Sequence, residues 1–305
     1  MAKAPSFWKA EEVGIRRRPD LTRAKEEGLA AGLNPAAKDK VKRIVVGIDY
    51  QIDFVFEDGS LKVERAIDDL RRFIDYLYGN AEEISGLLFS LDQHIPWQIF
   101  YSLWWRDRNG KHPEPFTVIT RESVGKGEWL PRLEKEWSRN YPAELEKTGQ
   151  SPLIVWPEHC MAGTEGANLI PELAEAIIWL SAARTIQPIY MFKGTVPKSE
   201  HYGPFCCCVP VDDHPQGGLQ TQFMDIIASY DVIDLAGEAE DFCVREGMRQ
   251  LLNYYGDRPE AIEKMRFLRD CTSPVFPDKR DEADNILDDF AGQGVQIVKS
   301  TDLVG

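Results

Sequence analysis

RIVVGID (43–49) is the stretch on which the fold turns. Five apolar or small residues, 44–48, run without a polar break and end on an aspartate. A strand apolar on both faces belongs inside a sheet covered from both sides, because a half-wet strand would alternate. Six more short runs of this kind follow: ISGLLFSLD (84–92), SPLIVWP (151–157), QPIYMFKG (187–194), DVIDLAG (231–237), KMRFLRD (264–270) and VQIVKS (295–300). Segments with helical spacing separate most of them, at 64–79, 128–148, 171–185, 218–229, 241–255 and 281–291. Such alternation predicts an α/β domain, doubly wound, with a mostly parallel sheet of about six strands and helices on both faces. The residues after the first run are DYQIDF, not G-x-G-x-x-G, which argues against a plain dinucleotide-binding domain.

Residues 1–40 lack a strand pattern and are rich in Lys, Arg, Glu and Ala. They read as a partly helical N-terminal extension that packs on the domain or on a partner subunit. The domain itself is expected over 41–305, with a Trp-rich, charged insertion at about 97–150 that reads as a lid. Lys+Arg 36 against Asp+Glu 50 gives a net charge of -14 over 305 residues. A surface that acidic repels phosphate backbones and anionic lipid, so neither nucleic acid nor a membrane is an expected partner. No run approaches the roughly 18 apolar residues of a membrane span, and the N-terminus has no apolar stretch of a secretory kind. Six cysteines, three of them adjacent at 206–208, do not make a disulfide framework. The expectation is a cytoplasmic protein in a reducing compartment.

In open parallel sheets ligands bind outside the carboxyl ends of the strands. Asp49 ends the first run, Asp92 and His94 the second, and Lys193 the fourth, while Trp156 and His159 follow LIVWP and Cys243 follows DLAG. Asp49, Lys193 and Cys243 are the residue types of a thiol-based hydrolytic centre. Asp92, His94 and His159 offer a carboxylate and two imidazoles, a set suited to zinc, iron or manganese with open positions for water or substrate. Cys243 is expected in the first turn of the 241–255 helix, where unpaired N–H groups and the dipole favour a thiolate and stabilise an oxyanion. Lys193 nearby would lower the thiol further, and Asp49 would carry a proton to a leaving amine. Each residue also has a plainer reading: a buried structural cysteine, a strand-end lysine reaching water, a capping aspartate, a hydrogen-bonded loop pair. His112, His201 and His214 lie in polar stretches and are expected at the surface, with His201 set apart because SEHYGPF follows the Lys193 strand closely.

Five segments, GIDYQIDFVFEDGSL (47–61), SLDQHIP (90–96), WPEHCMAGTEGA (156–167), FKG (192–194) and GEAEDFCV (237–244), carry a resemblance over roughly 43–300. In order and spacing they resemble the signatures of the nicotinamidase/pyrazinamidase family of the isochorismatase-like cysteine hydrolases. That resemblance implies a three-layer sandwich and a triad of Asp49, Lys193 and Cys243. It implies a divalent metal, zinc foremost and iron or manganese as alternatives, on Asp92, His94 and His159. It further implies a ring held between Phe54 and Trp156, and oxyanion donors at the N–H groups of Ala239 and Cys243, with a cis peptide at Glu238–Ala239. The implied reaction is hydrolysis of nicotinamide or a related heteroaromatic carboxamide to the acid and ammonia through a thioester, by a homo-oligomer. Departures touch the substrate more than the chemistry: no further His in IPWQIFYSLWW, Phe242 before the nucleophile, and tryptophans 97, 104, 105 and 129 in the insertion. The competing readings are an isochorismatase-like hydrolase of another amide or carbamoyl group, and a non-catalytic binding member of the fold.

Overall fold

The computed structural model describes residues 4–303. Its sheet contains β1 (Arg43–Ile48), β2 (Ile84–Asp92), β3 (Ile189–Lys193), β4 (Val232–Gly237), β5 (Met265–Leu268) and β6 (Gln296–Val298). They lie in the order β6-β5-β4-β1-β2-β3, and every pair is parallel. The principal helices are α1 (Leu21–Ala30), α2 (Ala66–Gly79), α3 (Lys135–Lys147), α4 (Pro171–Arg184), α5 (Thr221–Ala228), α6 (Arg245–Tyr255) and α7 (Arg280–Gly292). The chain moves outward from β1 through β2 to β3, and in the opposite direction from β4 to β6. Right-handed crossovers therefore put the two sets of helices on opposite faces. Strand order reverses between β1 and β4, which opens a crevice at their carboxyl ends.

The central strand is what its sequence predicts. Ile44, Val45, Val46 and Ile48 are wholly buried, each such side chain stabilising the fold by about 1.5–3 kcal/mol. Gly47 leaves room for a ring: a Cβ there would lie 2.4 Å from Phe89.

Two readings need correction. The run at 151–157 is not a strand of the main sheet. Leu153–Ile154 pairs antiparallel with Val118–Ile119 of the insertion, and the Trp156 N–H donates to the Phe100 carbonyl at 2.9 Å. LIVWP is apolar because it is buried beneath the insertion, and an apolar run of that length does not say which partner it joins. The 128–148 helix begins only at Lys135. Leu130–Pro131 is instead a short strand paired with Trp105–Arg106.

The polar N-terminal residues lie against the domain. Arg17 bridges Glu172 at 2.9 Å and Glu175 at 2.6 Å, both on α4. Helix α1 crosses α4 at Gly28, whose Cβ position lies 2.5 Å from the Trp179 carbonyl oxygen. The cysteines at 206–208 belong to a packed segment: Cys207 and Cys208 are buried, and the Cys207 thiol lies within hydrogen-bond reach of the carbonyls of Val209 and Gly217. All six cysteines are free. Among the described residues no helix is long and apolar enough to cross a membrane.

Because backbone fills the space beside Gly28, Gly28→Val is expected to lower the unfolding free energy by about 1–3 kcal/mol through overpacking. Denaturant unfolding at an unchanged m-value reads this, and an unchanged midpoint would contradict the close crossing.

Candidate active site

Three strand ends deliver the central charges. Asp49 follows β1 in the left-handed region (φ 53), a conformation aspartate tolerates better than most residues. Its Oδ1 accepts from the Ser90 hydroxyl at 2.6 Å. Lys193 ends β3 directly opposite Asp92, the last residue of β2. The Lys193 ammonium is buried and does not reach solvent. Nζ lies 2.6 Å from Asp92 Oδ1, 3.0 Å from Asp49 Oδ2 and 3.0 Å from the His201 carbonyl. Cys243 Sγ is 3.6 Å away, and acceptor atoms of Asp49, Asp92 and Cys243 all fall within 4.8 Å of one another.

That crowding decides the protonation states. Burial alone would lower Lys193, but Asp49 and then Asp92 outweigh it and keep the ammonium charged. Burial alone would raise Asp92, but Lys193 and then His94 hold it far below the usual carboxylate range. Asp49 is raised, chiefly by burial and against the pull of Lys193. Cys243 is also raised, well above the ordinary thiol value, by burial first and then by Asp49 and Asp92 against Lys193. This reverses the expectation of a thiolate. One ammonium already shared by two carboxylates has little attraction left for a third anion. Nor does Cys243 open an α-helix: it sits in a π-helical turn, Glu240–Val244, that precedes α6. The shift favours a neutral Cys243 thiol beside the Asp49 carboxylate.

Asp92, His94 and His159 form a second buried group, with ligand atoms within 4.8 Å of one another. Extended chain past β2 puts Asp92 and His94 on one side, as residues two apart must be. The 160–162 segment pairs with that extension, the His94 N–H donating to the Cys160 carbonyl at 3.0 Å and the Ala162 N–H to the His94 carbonyl at 2.8 Å. His159 arrives with it, its ring 4.6 Å from that of His94. Each imidazole directs Nδ1 at a carbonyl: His94 at Gly194 (3.1 Å) and His159 at Pro157 (2.8 Å). This leaves both Nε2 atoms for other contacts, that of His94 lying 3.5 Å from Asp92 Oδ2, the arrangement that orients metal-binding histidines. Burial, with His94 second, lowers His159 to about 3, so it is a neutral donor atom. Burial opposes protonation of His94 too, but Asp92 outweighs it and raises that ring. Two imidazoles and a carboxylate converging this closely, with His94 giving up its Nε2 proton on binding, fit a divalent cation.

These groups border a partly open pocket whose empty space, counted out to the solvent at its mouth, is about 390 Å³. Phe54 and Trp156, expected to flank a ring, both line it, as do Phe242, Tyr202 and Ala239. Trp156 meets Phe242 edge-on at 5.1 Å and Phe116 of the insertion at 6.0 Å. The Glu238–Ala239 peptide is cis. Two lining or supporting residues are not expected from the sequence, and a third, His201, is set apart there but placed at the surface. Gln51 locks the Asp92 backbone from both sides, accepting from its N–H at 2.7 Å and donating to its carbonyl at 2.8 Å. Glu200 is buried in the wall and raised by burial to about 7. His201, expected at the surface, is buried at 2% exposure, because the turn after Lys193 folds its carbonyl back onto the ammonium. His112 and His214 stand outside this cavity and are half-buried. Buried polar residues in a polar-looking sequence carry no signal of their own.

No family model matches the sequence, and no curated protein does. Solved structures give the comparison. The yeast nicotinamidase bound to the inhibitor nicotinaldehyde is 18% identical, covers 84% of this chain and 99% of its own, and superposes with a TM-score of 0.56. The chain has the nicotinamidase fold. A nicotinamidase pyrazinamidase from Acinetobacter baumanii is 19% identical, covers 87% of this chain and 99% of its own, and gives a TM-score of 0.55.

In chelator-treated protein, alkylation of Cys243 by iodoacetamide is expected to climb with pH past the ordinary thiol value of 9.0, since a raised pKa keeps the sulfur protonated longer. A rate that has already levelled off at neutral pH would contradict this protonation state.

Proposed function

We propose that the protein is a cysteine amidohydrolase that converts nicotinamide or a related heteroaromatic carboxamide into the acid and ammonia. The observation that supports it most is the setting of Cys243, a thiol 3.6 Å from a buried ammonium and beside the Asp49 carboxylate, facing an aromatic-walled cavity. Asp49 takes the thiol proton as sulfur bonds the carboxamide carbon, so a free thiolate is never required. The N–H groups of Ala239 and Cys243 are the oxyanion donors in this reading, an effect of about 10²–10³ in kcat in hydrolases generally. Asp49 then protonates the departing amine, and ammonia leaves a thioester on Cys243. Water enters, Asp49 takes its proton, the C–S bond breaks, and the proton returns to sulfur. Lys193 stays charged throughout and holds both carboxylates in place.

Asp92, His94 and His159 would hold a divalent cation, zinc before iron or manganese on a two-imidazole, one-carboxylate set. Such an ion supplies Lewis acidity when bound. Phe54 and Trp156 would flank the substrate ring, and a small-molecule amide is the partner the cavity suits. Six free cysteines agree with a cytoplasmic location, and the family resemblance adds a homo-oligomer.

Zinc-loaded wild type is expected to release ammonia from nicotinamide or pyrazinamide, with Cys243→Ala slower by several orders of magnitude. No ammonia from either amide, or turnover retained by Cys243→Ala, would overturn the reading. His159→Ala should retain at least about tenfold less zinc after dialysis, by atomic emission. Unchanged zinc content would remove the proposed cation site.

A further inference from the structure

Gly194 fixes two imidazoles in opposite senses. Its carbonyl accepts from His94 Nδ1 at 3.1 Å, whereas its N–H donates to His201 Nδ1 at 3.3 Å. The residue has φ +79, and a Cβ there would fall 2.6 Å from His94 Nδ1, so glycine serves both conformation and space. A ring nitrogen that accepts carries no hydrogen. In neutral His201 the hydrogen is therefore on Nε2, which makes that atom a donor and not a cation ligand.

His201 Nε2 is buried, belongs to a residue lining the cavity, and has no hydrogen-bond partner in the protein. The rest of the residue is held firmly. Its N–H donates to Glu200 Oε1 at 3.1 Å, and its carbonyl accepts from Lys193 Nζ at 3.0 Å. A buried donor left unpaired costs about 1–3 kcal/mol, and folded proteins leave few of them. Beside it in sequence, Glu200 Oε2 is likewise buried without a partner. Neither group has a task in the hydrolytic steps assigned to Asp49, Lys193 and Cys243.

We propose that His201 Nε2–H donates a hydrogen bond to the substrate, and that the substrate ring carries a hydrogen-bond acceptor beyond those of nicotinamide. The inference rests on the amidohydrolase reading and narrows it to flat heteroaromatic carboxamides with a second ring nitrogen or a ring-borne oxygen. A site whose buried donor is satisfied only by the right ligand discriminates against analogues lacking the acceptor.

Calorimetric affinities for nicotinamide, pyrazinamide and 6-hydroxynicotinamide test it in zinc-loaded Cys243→Ala protein, where turnover does not intrude. At least one of the two acceptor-bearing amides is expected to bind about tenfold or more tightly than nicotinamide. Adding His201→Phe should erase that advantage, and His201→Gln, which keeps a side-chain N–H, should restore part of it. Equal affinities for the three amides, no binding of any, or an advantage that survives His201→Phe would overturn the proposal. The ranking in protein that keeps His201 is decisive even where a His201 variant fails to fold. Ammonia release by the wild type is scored separately. Amides ranked through His201 yet never hydrolysed would leave this inference and remove the hydrolase reading, whereas hydrolysis without that ranking does the reverse.

Discussion

A single buried ammonium holds this site together. Lys193 Nζ sits between the Asp49 and Asp92 carboxylates at 3.0 and 2.6 Å. Two carboxylates that close cannot both ionise in a dry interior without a cation between them. With it, Asp92 stays ionised and available to a metal, while Asp49, raised by burial, is left a readier proton acceptor. Burial first, then Asp49 and Asp92, raises Cys243 against the pull of Lys193, whose charge is already shared with two anions. Cys243 is thus linked to Asp49 by proximity and not by a standing negative charge on sulfur.

The sheet brings these groups together. In a wholly parallel sheet the carboxyl ends of β1, β2, β3 and β4 lie along one edge, and the reversal of strand order between β1 and β4 opens that edge to a ligand. Register then sets the distances: Lys193 is opposite Asp92 because the two strands end on the same rung. Short polar links finish the work. Gln51 fixes the backbone of Asp92, and Gly194 fixes the tautomers of His94 and His201.

Much of this was legible in the residues, because parallel strands are apolar on both faces and end where chemistry can begin. The runs at 43–49 and 84–92 terminate in Asp49 and Asp92, the strand within 187–194 ends on Lys193, and the structure brings all three together around the ammonium. The Asp-x-His spacing was readable for the same reason, as two residues on one side of extended chain. What could not be read depends on distances between segments far apart in sequence. LIVWP pairs with 118–119 and not with the main sheet, since apolarity records burial and not partner. The direction of the Cys243 shift depends first on its burial and then on how two carboxylates divide one lysine. His201 stood out for its closeness to Lys193, but its burial follows only from the turn that returns the chain to that residue.

Neutron diffraction from metal-free crystals at neutral pH tests the central claim most directly, because it sees the hydrogens themselves. Three deuterons on Lys193 Nζ, one on Cys243 Sγ and none on Asp92 are what a shared buried ammonium requires. A neutral amine at residue 193 with a deuteron on Asp92, or a bare sulfur at residue 243, would contradict it.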